Sequence, residues 1–175
     1  MKEKSWRSLE LDKSYGEKMK FLTDGMLGKL TRWLRMLGQD VEYTSSMADK
    51  ALIQMAKKTN RILLTRDVQL FQRAIARGAE AFLIESTDEA ENLASLGKRF
   101  SFKLEIDLKI SRCPKCNGQI RSVRKDRIID RIPETTSTYY NEFWECPNCE
   151  QIYWQGAHWK RIEETLREAR RALKA

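Results

Sequence analysis

All four cysteines of this 175-residue chain stand in two C-x-x-C pairs, Cys113-Pro-Lys-Cys116 and Cys146-Pro-Asn-Cys149. Any fold in which the thiols share a ligand must bring those two stretches together. Duplicate Cys-Pro-x-Cys pairs with no spare cysteine fit a structural zinc ribbon, where four thiolates close a tetrahedral site and leave no position for substrate. A redox dithiol is the competing reading, against which the duplication argues, and iron could replace zinc in vitro. Cysteines used this way suit a reducing compartment better than a disulfide framework does.

Upstream, from Met19 to about Ile106, strand-like runs (KFLTD, VEYTS, RILLTRD, AFLIES) alternate with helix-like stretches. That alternation is the signature of βαβ units and predicts an α/β fold with a parallel sheet. In the first helix Leu27, Leu30, Leu34 and Leu37 share one stripe with Met26 and Trp33 at its edge, while Lys29, Arg32 and Arg35 cluster opposite. A second helix from about Asp49 to Lys58 offers Leu52, Met55 and Ala56 to the core. A third, from about Asp67 to Arg77, offers Phe71, Ala74 and Ile75. A fourth is expected from about Asp88 to Gly97, after which FKLEIDL has the alternation of a further strand. Gly38 and Gly78 fit positions just past helix ends. The tail from about His158 predicts a closing helix with Ile162, Leu166, Ala169 and Leu173 on one face. The chain thus divides into an N-terminal arm (1–19), an α/β domain (20–108) and a zinc ribbon with the closing helix (109–175).

A balance of 33 Lys+Arg against 25 Asp+Glu gives a net charge of +8. Such a surface suits a polyanionic partner, although solubility alone would also account for it. No leader-like apolar segment opens the chain and no uncharged run approaches membrane-spanning length, so a soluble, cytoplasmic protein with no membrane partner is expected.

FLTDGMLGKLT resembles a phosphate-binding loop at first sight, but Gly25 and Gly28 are separated by two residues rather than four, and Leu30 follows Lys29 where a hydroxyl residue is required. Asp24 needs another role. It ends the first strand run, Asp67 ends RILLTRD, and Asp49 opens the helix between the second and third strands. At the carboxyl edge of a parallel sheet all three can face one crevice. Each could instead cap its own helix, with Ser46-x-x-Asp49 resembling a capping box, and Asp88 could cap the fourth helix or join the acids. As a set, carboxylates this close repel one another unless a cation sits among them, and hard oxygen donors suit Mg²⁺ or Mn²⁺. Ions so held activate water and steady a leaving oxygen in phosphodiester hydrolysis. With His158 the only histidine, a two-histidine acid–base mechanism is excluded. Lys29, Arg32 and Arg66 are candidates to grip the phosphate. In the ribbon, Arg121, Arg124, Lys125 and Arg127 with Tyr153, Trp154, His158 and Trp159 could stack and pair with single-stranded RNA, or the aromatics could pack the ribbon onto the main domain.

DGMLGKLTRWLRMLG, RILLTRD, CPKCNG and YWQGAHW together resemble, in order and spacing, the mutator-seven C-terminal RNase domain family, PIN-like nucleases that carry a zinc ribbon. The likeness covers about residues 20 to 165. It implies a PIN-like Rossmannoid core, Mg- or Mn-dependent ribonuclease activity leaving a 5′-phosphate and a 3′-hydroxyl, and an acidic site at Asp24, Asp49 and Asp67. RNA, including ribosomal or transfer RNA, is the partner the resemblance implies, since the metal chemistry alone would serve DNA equally. Where many relatives look as though they carry two adjacent acids, this chain has Asp49-Lys50. The main alternative is a non-cleaving RNA-binding or ribosome-associated protein that keeps the fold as a platform.

Overall fold

Four short strands, Lys20–Thr23 (β1), Asp40–Tyr43 (β2), Ile62–Thr65 (β3) and Ala81–Leu83 (β4), form the expected parallel sheet, in the order β2-β1-β3-β4. They are seen in a computed structural model that describes residues 19–174. The helices between them are Gly28–Met36 (α1), Asp49–Lys58 (α2), Val68–Ala76 (α3) and Glu89–Phe100 (α4). The ribbon contributes an antiparallel sheet of Arg121–Val123 (β5), Phe143–Glu145 (β6) and Ile152–Tyr153 (β7), with the short helix Glu134–Tyr139 (α5) between β5 and β6. Trp159–Lys174 (α6) closes the described chain. Apart from Met19, the expected N-terminal arm lies outside the described residues.

Side chains alternate across a strand, so each strand feeds two cores. Phe21, Val41 and Leu64 pack with Leu30, Trp33 and Leu34 of α1, Leu93 and Leu96 of α4, and Leu166 and Ala169 of α6. Their neighbours Leu22 and Leu63 point the other way, onto Leu52, Ile53 and Ala56 of α2 and Leu70 and Ala74 of α3. Helices therefore cover both faces of the sheet, and continuous burial of Phe21, Leu22, Leu63 and Leu64 follows from that. The closing helix is anchored on the main core through Leu166 and Ala169, with Ile162 and Leu173 packed against the same cluster, as its apolar stripe predicts.

Several expectations need correction. On α3 the inward positions are Leu70 and Ala74, while Ile75 is half exposed. The fourth helix runs on to Phe100 rather than ending at Gly97, which lies inside it, packed closely against Leu104 where a side chain would crowd. FKLEIDL forms no strand; it turns, and Leu104 and Ile106 plug the core instead. Ser46 and Asp49 form no capping box, since the residue preceding α2 is Ala48 and no side chain caps it.

Arg35 departs most from its periodicity. Placed by spacing on a charged face, it is buried, with Nε and Nη2 donating to the Val41 carbonyl at 2.9 and 2.7 Å and Nη1 donating to the carbonyls of Pro114 and Lys115 at 3.0 and 3.3 Å. It fastens the first cysteine loop to the edge strand β2. Asn117 completes the joint: its side-chain oxygen accepts from the Val41 amide at 3.1 Å and its amide donates to Asp40 Oδ1 at 2.8 Å. An edge strand left open would offer unpaired amides to other chains, and here the ribbon covers it.

Asp40 also accepts from Arg61 Nη1 at 2.8 Å. Burial pushes its carboxyl up, but the bonds from Arg61 and Asn117 outweigh that and hold it below the usual carboxylate range. A depressed folded-state pKa contributes stability that is complete above the unfolded value, about 3.9, and is lost as pH falls through the folded value. Asp40→Asn should therefore flatten the decline of Tm below about pH 4 and cost about 2 kcal/mol at neutral pH, as loss of charge-assisted hydrogen bonds does. Thermal melts of both proteins from neutral to acid pH would show parallel curves if the carboxylate has no such role.

Candidate active site and metal centre

The chain leaves β1, passes over α1 to β2 on one side, then crosses by α2 to β3 on the other side of β1. The carboxyl ends of β1 and β3 thus flank the point where the winding reverses, the place where open α/β sheets bind ligands. Asp24 follows β1 and Asp67 follows β3 by two residues. One hydroxyl joins them. Thr65 Oγ1 donates to Asp24 Oδ2 at 2.5 Å and accepts from the Asp67 amide at 3.0 Å.

Asp24 is only 8% exposed, and among the described residues no basic side chain pairs with it. Its Oδ1 accepts from the Met26 amide at 2.9 Å, capping the 3-10 turn Gly25–Leu27 that precedes α1. The turn is drawn tight because position 25 is glycine: a Cβ there would lie 2.8 Å from the Ser45 carbonyl oxygen. Asp67 is exposed and caps α3, taking the Gln69 and Leu70 amides on Oδ1 at 2.7 and 3.0 Å. Asp49 stands in the first turn of α2, with Oδ2 2.8 Å from Arg73 Nη2 of α3. Asp88 caps α4 by accepting from the Glu91 amide at 2.9 Å.

The proposed phosphate grips divide. Arg66 is committed through Nη2 to the Ser86 carbonyl at 3.1 Å, and its buried Nε has no hydrogen-bond partner. Lys29 remains exposed with Nζ 3.6 Å from Glu89 Oε1, and Arg32 is exposed further along α1. Among the described residues the cysteine quartet alone forms a set of three or more candidate ligands whose donor atoms all lie within 4.8 Å, so the three aspartates do not converge that tightly.

The quartet is built from two matching turns. The Cys113 amide donates to the Gly118 carbonyl at 2.7 Å and the Asn117 amide to the Cys113 carbonyl at 2.9 Å. The Cys146 amide donates to Gln151 and the Glu150 amide to Cys146 in the same pattern, at 2.9 and 2.8 Å. Asn117 and Glu150, each following the second cysteine of its pair, both take left-handed backbone angles, φ 68° and 58°. Two sulfur pairs stand 3.6 Å (Cys113, Cys149) and 3.3 Å (Cys116, Cys146) apart. A tetrahedral zinc with Zn–S of about 2.3 Å separates its sulfurs by about 3.8 Å, so the four cysteines fit that ion. Burial pushes the Cys113 thiol up, yet the Tyr153 hydroxyl and the Cys116 and Lys115 amides outweigh it and bring it down to about 7. Cys116, driven mainly by burial, is pushed up to about 12. Two of the aromatics after the second pair pack within the ribbon: Tyr153 Oη stands 3.0 Å from Cys113 Sγ, and Trp154 lies 6.5 Å from the Phe143 ring beside the ribbon's own small core of Ile128, Ile132, Phe143 and Ile152, while His158 is exposed.

The family model described as the Mut7-C RNAse domain matches residues 19–166. The chain belongs to that family. The match spans both the acidic sheet edge and the cysteine quartet, so the Mut7-C RNAse domain here includes the ribbon as well as the α/β core. The family's description indicates a nuclease-like role with RNA as substrate. No curated protein and no solved structure matches the chain. No helix among the described residues is long and apolar enough to cross a membrane.

Two residues central to these sites gave no sequence signal. Thr65 lies inside a strand run, where threonine is ordinary. Arg35 looks like one more cation on a polar helix face. The NG dipeptide after Cys116 was the available hint of a left-handed residue, but not of Asn117's grip on β2.

Proposed function

We propose that this Mut7-C RNAse domain is a divalent-metal-dependent ribonuclease, with Asp24 and Asp67, joined by Asp49, as the residues that would hold Mg²⁺ or Mn²⁺. Asp24 is the observation that supports it: a buried carboxylate at the winding reversal, oriented from both sides and neutralised by no cation of the described chain. Burying a charge without a partner is costly, and a hard cation relieves that cost. The donor set is all oxygen, as such ions prefer. A divalent ion bound there would polarise a phosphodiester and lower the pKa of its water.

The chain's own groups supply the rest. Thr65 fixes the Asp24 rotamer by donating to Oδ2, and the α3 amides hold Asp67 by Oδ1. Lys29 offers an exposed ammonium beside the Asp24 turn, and Arg66 and Arg32 would attract neighbouring phosphates. In this scheme residues 20–108 cut, while residues 109–175 hold RNA, ribosomal or transfer RNA among the candidates, in a cytoplasmic setting.

One observation favours the alternative. Asp49 is ion-paired with Arg73, which suits a platform that binds RNA, or a ribosome, without cutting it. Labelled RNA incubated with zinc-loaded protein, with and without added Mn²⁺, separates the two. Withholding Mn²⁺ is cleaner than chelation, which also attacks the cysteine site. Cleavage that appears only with the ion is expected; intact RNA under both conditions, with binding retained, would establish the platform.

A further inference from the structure

A cavity of about 430 Å³ lies where the α/β core meets the ribbon, and none of its lining residues is acidic. One wall is α1, with Gly28, Arg32 and the buried Arg35; the other is the ribbon, with Lys115 and Tyr153, and Tyr43 of β2 stands at the end nearest Asp24. We propose that this groove is a binding subsite for the single-stranded RNA segment flanking the cut, with a base stacked on Tyr43 and backbone phosphates held by Arg32 and Lys115. The inference rests on the ribonuclease reading for its orientation toward Asp24, and adds to it the role of the ribbon: one wall of the substrate groove.

Position comes first. The Tyr43 hydroxyl donates to the carbonyl of Gly25, the residue after Asp24, at 3.2 Å, and its ring lies against Gly28, where an added Cβ would sit 3.5 to 3.7 Å from the phenol. The ring is thereby immobilised beside the acidic edge while 38% of the residue stays exposed. A fixed, half-exposed aromatic is a stacking platform with little entropy left to lose.

Charge comes second. Arg32 and Lys115 are both exposed, and neither has an ion-pair partner among the described residues. Arg35, held on three carbonyls, adds fixed positive charge in the wall. Rigidity comes third, because Arg35 and Asn117 lock the Cys113–Cys116 loop to β2, so the groove is formed before RNA arrives. The cavity has the size of a small-ligand pocket; a duplex would have to rest across its rim, whereas an unpaired nucleotide can enter.

The test uses the full zinc-loaded chain and a fluorescent oligouridine, with Mn²⁺ and Mg²⁺ withheld so that the metal-dependent cleavage proposed above cannot shorten it, and with binding read by anisotropy across a salt series. Tyr43→Ala should weaken binding at least about fivefold, the lower end for loss of one stacking ring, and Tyr43→Phe, which keeps the ring, should stay within about twofold. Lys115→Glu should lower affinity and reduce the salt slope by about 0.7 per lost phosphate contact. Zinc content and melting temperature check that each variant is folded. Wild-type affinity in both Tyr43→Ala and Lys115→Glu would overturn the groove, even if the wild type cuts RNA. Groove-dependent binding by a protein that cuts nothing would keep the groove and overturn the ribonuclease reading. Lys115 is exposed, so the test survives if Tyr43→Ala fails to fold.

Discussion

Asp24→Asn is expected to lower Mn²⁺-dependent RNA cleavage by at least about a hundredfold, beyond the ten- to hundredfold that loss of an outer-sphere partner costs a metal site. The same substitution should leave the melting temperature unchanged or raise it. Both halves come from one geometry. The asparagine side chain is nearly isosteric and can still accept the Met26 amide, so the 3-10 turn survives. The buried charge vanishes, and with it a desolvation cost that no basic side chain among the described residues offsets. Stability gained by neutralising a residue, coupled to lost activity, is the trade-off expected of a functional site. A helix-capping role alone would leave both nearly unchanged, because asparagine caps about as well as aspartate: cleavage within a few-fold of wild type and no gain in melting temperature. Thr65→Val separates orientation from charge. Removing the hydroxyl frees Asp24 Oδ2 and orphans the Asp67 amide, so cleavage should fall by about ten- to a hundredfold while the carboxylate remains. Steady-state cleavage and melting of the three proteins, run side by side, would decide between a metal-binding acid and a cap.

The sheet was legible because its strands are bounded by polar residues and alternate with helical periods, and the cysteine turns because Cys-Pro-x-Cys leaves few geometries open. The edge position of Asp24 and Asp67 followed from strand ends and right-handed crossovers. What the sequence hid was tertiary. Periodicity reports one buried face per helix, whereas α1 is covered on two sides, by the sheet and by the ribbon; Arg35 on the second side therefore reads as solvated although it is buried. Asp49 lay within the expected site, but its pairing with Arg73 depends on how α2 and α3 pack, which residue spacing does not encode. FKLEIDL alternates like a strand, yet it joins neither edge of the sheet: the ribbon is fastened to β2, and Leu104 packs beside Gly97 instead.

Loss of a zinc ion held by the cysteine quartet should be felt well beyond the ribbon. Structural zinc contributes on the order of 10 kcal/mol to small domains that depend on it, which is comparable to the whole stability of a typical domain, about 5–15 kcal/mol. Cys146→Ser should therefore unfold residues from about Cys113 to Tyr153. Hydrogen exchange would register this as lost protection at the Cys113, Asn117, Cys146 and Glu150 amides, which now close the two turns. The effect should spread to β2, because the Val41 amide loses Asn117 and the buried Arg35 guanidinium loses the Pro114 and Lys115 carbonyls. A guanidinium so abandoned must drag water into α1's flank or leave its pocket. Protection at β1 and β3 should fall less, since Leu22 and Leu63 bury their side chains against α2 and α3, and Phe21 and Leu64 lie in the main core. Graded exchange, ribbon first, then β2, then the central strands, would thus be the signature of a quartet-bound metal that fastens the ribbon to the α/β core. Uniform protection in the zinc-free variant would mean that the quartet is dispensable to the fold, and the joint at Arg35 would then have to stand on its carbonyl bonds alone.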